Sequence, residues 1–242
     1  LIEDERSNIM RKLVSGIFAT LIAATFIACG APATGEVGTS EEQAKLTPAS
    51  VLADLKAGNQ RFISEAMIKR DYREQVDGTA GGQFPKAVVL SCLDSRVPVE
   101  AVLDQGIGDI FVARVAGNFV NEDILGSMEF ATKVVGTKIV LVMGHERCGA
   151  VKAAIDDVKL GNITPMVAKI KPSVAKTAAG FDGETTTKNP EFVSKVGEQN
   201  VRDTIAAIRE RSPIMAEMEK NGEIEIVGAV YNLDTGAIRF LD

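Results

Sequence analysis

Three short apolar runs constrain this chain more than anything else in it. Residues 86–92 read Lys-Ala-Val-Val-Leu-Ser-Cys, residues 110–114 read Ile-Phe-Val-Ala-Arg, and residues 138–143 read Lys-Ile-Val-Leu-Val-Met. Runs this brief, apolar without polar alternation, are the mark of strands buried on both faces. Stretches with helical character lie between and after them, at 122–135, 150–160 and 190–210. Apolar strands alternating with helices predict an α/β fold, a mostly parallel central sheet flanked by helices. Two final segments, 224–231 and 237–241, flank Asn232-Leu233-Asp234-Thr235-Gly236 and predict an antiparallel hairpin at the sheet edge. Ahead of the first strand, Thr47 can cap a helix whose first position is Pro48. Val51, Leu52, Leu55, Phe62 and Ile63 follow at roughly helical spacing, weakened in the middle by Gly58-Asn59.

The N-terminal part reads differently. Met10-Arg11-Lys12 opens a basic segment, and residues 13–28 form an uncharged apolar run. About sixteen residues is short for a membrane-spanning helix and right for the core of a signal peptide. The run ends in Phe26-Ile27-Ala28-Cys29-Gly30, similar to the lipobox of bacterial lipoproteins, in which the Cys is acylated and becomes the mature N-terminus. Phe26 departs from the Leu usual at its place. Residues 1–28 are therefore expected to be an N-terminal extension and signal. Residues 29–46, small and polar, read as a flexible tether, and residues 47–242 as the folded domain. The implied location is the cell envelope, on a lipid anchor at Cys29.

The net charge of −6 and the absence of any long Lys/Arg cluster argue against a nucleic-acid partner, and there is no Trp to make a stacking platform. The scarce residues carry more information. The chain has one His and three Cys, an odd number that does not suit a disulfide framework. Cys92 closes the first apolar run; His145 follows the third, with Cys148 three residues on. In open α/β sheets ligands collect at the carboxyl ends of strands. Two thiolates and an imidazole suit zinc, with a fourth position left for water. Taken singly, a strand-end Cys is more often a small buried hydrophobe and a lone His a structural one. A dithiol redox pair is a third reading, although no CxxC is present.

Cys92-Leu93-Asp94-Ser95-Arg96 followed by His145-Glu146-Arg147-Cys148-Gly149 resembles the paired motif of the β-class carbonic anhydrases. Further segments carry the similarity over most of residues 47–242: Gly58-Asn59-Gln60-Arg61-Phe62, Arg114-Val115-Ala116-Gly117-Asn118 and Gly126-Ser127-Met128-Glu129-Phe130. The resemblance implies one Zn2+ per chain held by Cys92, His145 and Cys148, with Asp94 paired to Arg96. It implies reversible hydration of carbon dioxide to bicarbonate by a zinc-activated water. It further implies a homodimer or larger assembly in which the N-terminal helix packs on the partner subunit. Gln83 and Phe111 match positions that line the substrate pocket, the Phe commonly from across the dimer. Val97 is expected to join Phe111 as an apolar wall for a small apolar substrate. An alternative keeps the zinc scaffold and changes the substrate to carbon disulfide or carbonyl sulfide. With its only His spent on the metal, the chain has no second His to shuttle protons.

Overall fold

The structure, a computed structural model, describes residues 35–241. Five strands form one sheet: β1 (Ala87–Ser91), β2 (Ile110–Arg114), β3 (Ile139–His145), β4 (Glu225–Tyr231) and β5 (Ile238–Leu241). Their spatial order is β2-β1-β3-β4-β5. The first four run parallel, and β5 returns antiparallel to β4 at the edge. The three apolar runs thus became the parallel strands they predict, with β1 and β3 buried along their whole length.

Alternation along β1 sorts its side chains between two cores. Val88 and Leu90 join Val140, Val142 and Ile226 on one face. That face is covered by α5 (Glu122–Glu129), by α9 (Pro190–Arg211) and by α10 (Pro213–Lys220), through Leu125, Met128, Val201, Ile208 and Met215. Ala87 and Val89 join Ile139, Leu141 and Met143 on the other face, beneath Val51 and Leu55 of α2 (Pro48–Ile63) and Val99 and Val102 of α4 (Val99–Val102). A third cluster closes the carboxyl end of the sheet. There Cys92 and Cys148 pack with Phe119, Val151, Ile170, Phe192 and Val196, from α6 (Gly149–Ile155), α9 and the bend between α7 (Ile163–Ala168) and α8 (Lys171–Ala179).

Helix α2 starts where Thr47 and Pro48 predict: the Thr47 side chain accepts from the Ser50 amide and Pro48 takes the first turn. The weak middle has a purpose. A Cβ on Gly58 would lie 1.9 Å from the Leu103 carbonyl oxygen, so only glycine lets the helix approach α4 this closely. Asn59, buried beside it, donates to the Val102 and Gly236 carbonyls and accepts from the Ile238 amide. The N-terminal helix is thereby tied to its own sheet edge.

Several expectations need correction. The stretch read as tether is shorter than its composition indicates, because residues 40–45 form α1 (Ser40–Lys45), closed by a Thr39–Glu42 capping box. Gln43 of that helix donates to the Pro85 carbonyl, and Gln75 of α3 (Tyr72–Thr79) to the carbonyl of Gly35. The helix expected over 122–135 gives way at Phe130 to a π-helical turn, Phe130–Val134, and the one expected to 160 stops at Ile155. On the helix expected to pack on a partner subunit, Leu55 is fully buried against this chain's own sheet, and Leu52 and Phe62 pack partly against the same cluster. The residues read as a signal segment, and Cys29, lie outside the described residues. Among those described, no helix is long and apolar enough to cross a membrane.

Candidate metal centre

Strand register brings the rare residues together. Ser91 stands opposite Met143 across the β1–β3 pair, so Cys92, one residue on, meets the level of Gly144 and His145. Glycine is needed at 144 because a Cβ there would lie 2.8 Å from Val201 Cγ2. The chain then turns through Arg147, whose φ of 53° is left-handed, and delivers Cys148 to the start of α6. The ligand atoms of Cys92, His145 and Cys148 all lie within 4.8 Å of one another, and all three residues are buried. This is the set the sequence points to.

The surroundings fit a cation. His145 Nδ1 lies 2.9 Å from the Glu146 carbonyl oxygen, to which it donates, leaving Nε2 with its lone pair. That Nε2 is buried and has no hydrogen-bond partner; a buried polar atom without one is costly unless something else meets it. Both Cys are free thiols, with Sγ atoms 3.9 Å apart. Donation from Cys148, helped by His145 and the Gly117 amide, pulls the Cys92 thiol down to about 4, while burial opposes. The same hydrogen bond and burial push Cys148 up, against the pull of the Val151 and Ala150 amides. Either sulfur can donate to the other, and a divalent cation must displace that proton to gain the second thiolate. Soft donors, an imidazole and no fourth protein ligand among the described residues match an open zinc site.

Asp94 roofs this cluster. Its carboxylate accepts from Arg96 Nε at 2.9 Å and Nη2 at 2.7 Å, a forked pair, and from the Arg96 amide at 3.0 Å. The Arg96 side chain holds the carboxyl well below the usual carboxylate range, against partial burial. Asp94 is thus ionised and aimed.

The other anticipated residues fall elsewhere. Val97 is completely buried in the core under α2, not in a substrate pocket. A turn from the Asp94 carbonyl to the Val97 amide reverses the chain and drops the side chain inward. Phe111 pairs with Val88 near the amino end of its strand and lines an apolar groove with Ile124 and Phe130. Cys92 is four residues beyond Val88, about 13 Å at strand rise, so Phe111 does not reach its own metal site. Gln83 lies before β1, in a depression with Thr79 and Ile107.

Two supports escaped the sequence reading. Arg114 ends β2 and donates from Nε to the Cys92 carbonyl and from Nη2 to the Asp94 carbonyl, pinning the loop that carries ligand and roof. The hairpin turn holds the other loop. Asn232 donates to Glu146, and Asp234 forms a two-point pair with Arg147. Arg114 stood in a quoted motif; the turn residues gave no signal beyond being a turn.

Comparison with known proteins agrees with this geometry. The sequence profile of the carbonic anhydrase family matches residues 87–238. Carbonic anhydrase 2 of Mycobacterium tuberculosis is 37% identical over 197 residues, covering 78% of this chain and 90% of that protein. The carbonic anhydrase of Mycolicibacterium smegmatis is 33% identical over 198 residues, covering 79% and 92%. Among solved structures, the β-carbonic anhydrase CafA of Aspergillus fumigatus has a TM-score of 0.62 at 26% identity, covering 80% and 90% of the two chains. The Coccomyxa β-carbonic anhydrase in complex with acetazolamide has a TM-score of 0.63 at 26% identity, covering 78% and 86%. With its parallel sheet, its antiparallel edge pair and a Cys-His-Cys cluster at the strand ends, this chain belongs to the β-carbonic anhydrase family.

Proposed function

We propose that the chain hydrates carbon dioxide reversibly at the Cys92–His145–Cys148 centre, with Asp94 and Arg96 as its working pair. The observation that carries this reading is the ionised Asp94 carboxylate, oriented by Arg96 directly over a buried three-ligand cluster. Zinc held by those ligands supplies a water acidified toward neutral pH. Two thiolates offset the metal's charge, so that acidification is weaker than with three imidazoles. Asp94, ionised and fixed beside the cluster, is placed to accept a hydrogen bond from such a water and would thereby orient it for the substrate. Arg96 keeps Asp94 ionised and stationary, and Arg114 fixes the backbone beneath both. Zinc analysis with stopped-flow carbon dioxide hydration on the full chain tests this. A zinc-loaded protein without hydration activity would overturn it, and parallel assays with carbon disulfide and carbonyl sulfide would then identify the alternative substrate.

Assembly and location complete the proposal. Strand β2 is an outer strand of the sheet and carries the apolar groove around Phe111 and Phe130. A two-fold axis across that edge sets the two β2 strands antiparallel, which carries the amino end of one toward the carboxyl end of the other. Phe111 and Gln83, remote from their own metal site, then serve the neighbour's. The basic segment, apolar run and Ala28-Cys29-Gly30 support an exported protein held by acyl chains on Cys29. Mass spectrometry of the mature N-terminus decides this; an unmodified terminus upstream of Cys29 removes the anchor.

A further inference from the structure

Helix α9 buries an apolar face made of Phe192, Val193, Val196, Val201 and Ile208, and in the middle of that face sits Asn200, 2% exposed. A primary amide in such surroundings is costly unless its hydrogen bonds are made. Its Nδ2 donates at 2.8 Å to the carbonyl of Gly117. Gly117 lies in the turn closed by the Asn118 amide on the Val115 carbonyl, just beyond β2. Its φ is +85°, and a Cβ there would lie 2.4 Å from Ile170 Cδ1; glycine alone fits. The amide of Gly117 points the other way, into the site, and lies 3.4 Å from Cys92 Sγ. One residue without a side chain is therefore held at its carbonyl by Asn200 and offers its N–H to a metal-ligand sulfur.

We infer that Asn200 is a positioning residue of the metal centre, fixing the Gly117 N–H against Cys92 Sγ and so governing how firmly that thiolate holds zinc. A glycine at a turn is the most mobile kind of residue in the chain, and nothing in its own side chain can hold its amide in line. An amide N–H on a ligand thiolate stabilises the ionised sulfur and fixes its direction. Asn200 itself is a neighbour of the ligand's neighbour and touches neither metal nor substrate. The inference rests on the zinc assignment, which the metal content of the unaltered protein tests separately.

The experiment compares Asn200→Leu and Asn200→Asp with Thr204→Val in the full chain. Both Asn200 variants remove the donor at near-constant size. Thr204, buried one turn further along the same face, reports simple loosening of the helix. Zinc transfer to a chelator should quicken about tenfold or more in the Asn200 variants, and the thiolate-to-metal charge-transfer band of the cobalt-substituted protein should shift. Thr204→Val should leave both readouts unchanged. Unaltered zinc release and band position in Asn200→Leu, or equal changes in Thr204→Val, would overturn the assignment. If neither Asn200 variant folds, the unaltered protein loaded with NMR-active cadmium gives the answer. Scalar coupling from the metal to the Gly117 amide proton supports the inference, and its absence ends it.

Discussion

Asp94 Oδ2 stands 3.7 Å from His145 Nε2, the atom that has no hydrogen-bond partner among the described residues. The carboxylate is thus held by Arg96 beside the three-ligand cluster, within reach of whatever a metal there would bind. Arg96→Ala should keep zinc yet lose at least about a hundredfold in turnover, because Asp94 is then free to swing onto the metal. Asp94→Asn should also keep zinc and lose activity, because one of the two oxygens that accept from Arg96 becomes an amide donor and the negative charge is gone. Zinc content and turnover of both variants at mildly alkaline pH check this, and near-normal turnover in both reduces the pair to a surface ion bridge. Because Arg96 holds Asp94 below the usual carboxylate range, Asp94 stays ionised from weakly acid pH upward. Activity should rise with pH through loss of the water's proton, not through titration of Asp94.

The cluster should bind about one zinc per chain. Cys148→Ser replaces a thiolate by a hydroxyl, a poor ligand, and leaves two protein donors. Most of the metal should be lost on gel filtration, as elemental analysis of the eluted protein shows; full retention would break the ligand assignment.

Away from the site, Asp104 is buried with a left-handed φ of 48° and binds the guanidinium groups of both Arg61 and Arg70. Burial raises its pKa, but the two arginines outweigh this and the net shift is downward. The sign follows: its stabilisation is complete above the unfolded value near 3.8 and disappears as pH falls through the lower folded value. Asp104→Asn leaves two partly buried cations short of their buried anion and should cost about 3–5 kcal/mol. Urea unfolding at neutral pH measures the loss.

The chain has one His, and that residue belongs to the metal cluster. Proton export therefore falls on carboxylates, a tyrosine or external buffer. Turnover under saturating carbon dioxide should climb with the concentration of an imidazole buffer at fixed pH and ionic strength. A flat response in stopped-flow assays would mean an internal relay suffices.

Phe130 is about half exposed beside Phe111 on the β2 groove, so a lone chain tolerates a charge there. In the proposed two-fold assembly it would be covered. Phe130→Asp should shift the sedimenting species toward monomer and depress activity with it, since Phe111 and Gln83 lose the neighbour they serve. An unchanged oligomer would place the interface elsewhere.

The parallel strands and the three ligands were legible because each strand is an apolar run that ends in its chemistry, Ser91-Cys92 for one and Gly144-His145 for another. Val97 misled because an apolar residue after a motif looks the same whether it lines a pocket or lies under a helix. Asn200 was invisible for another reason. Its bond spans 83 positions, and on a helix a single Asn among apolar residues reads as the edge of the wet face. The short helices α1 and α3 depend on caps and on distant partners such as Pro85 and Gly35, which spacing does not record.

Cys92 and Cys148 are 56 positions apart in the chain yet neighbours in space, at the ends of two segments that run side by side. An ion joining them is a cross-link as well as a reagent. It closes the span that contains α4, β2, α5 and β3, so capture of the ion and consolidation of the sheet draw on the same free energy. Chelation should therefore lower the melting temperature along with the rate, and the metal-free chain should open first where those two segments part.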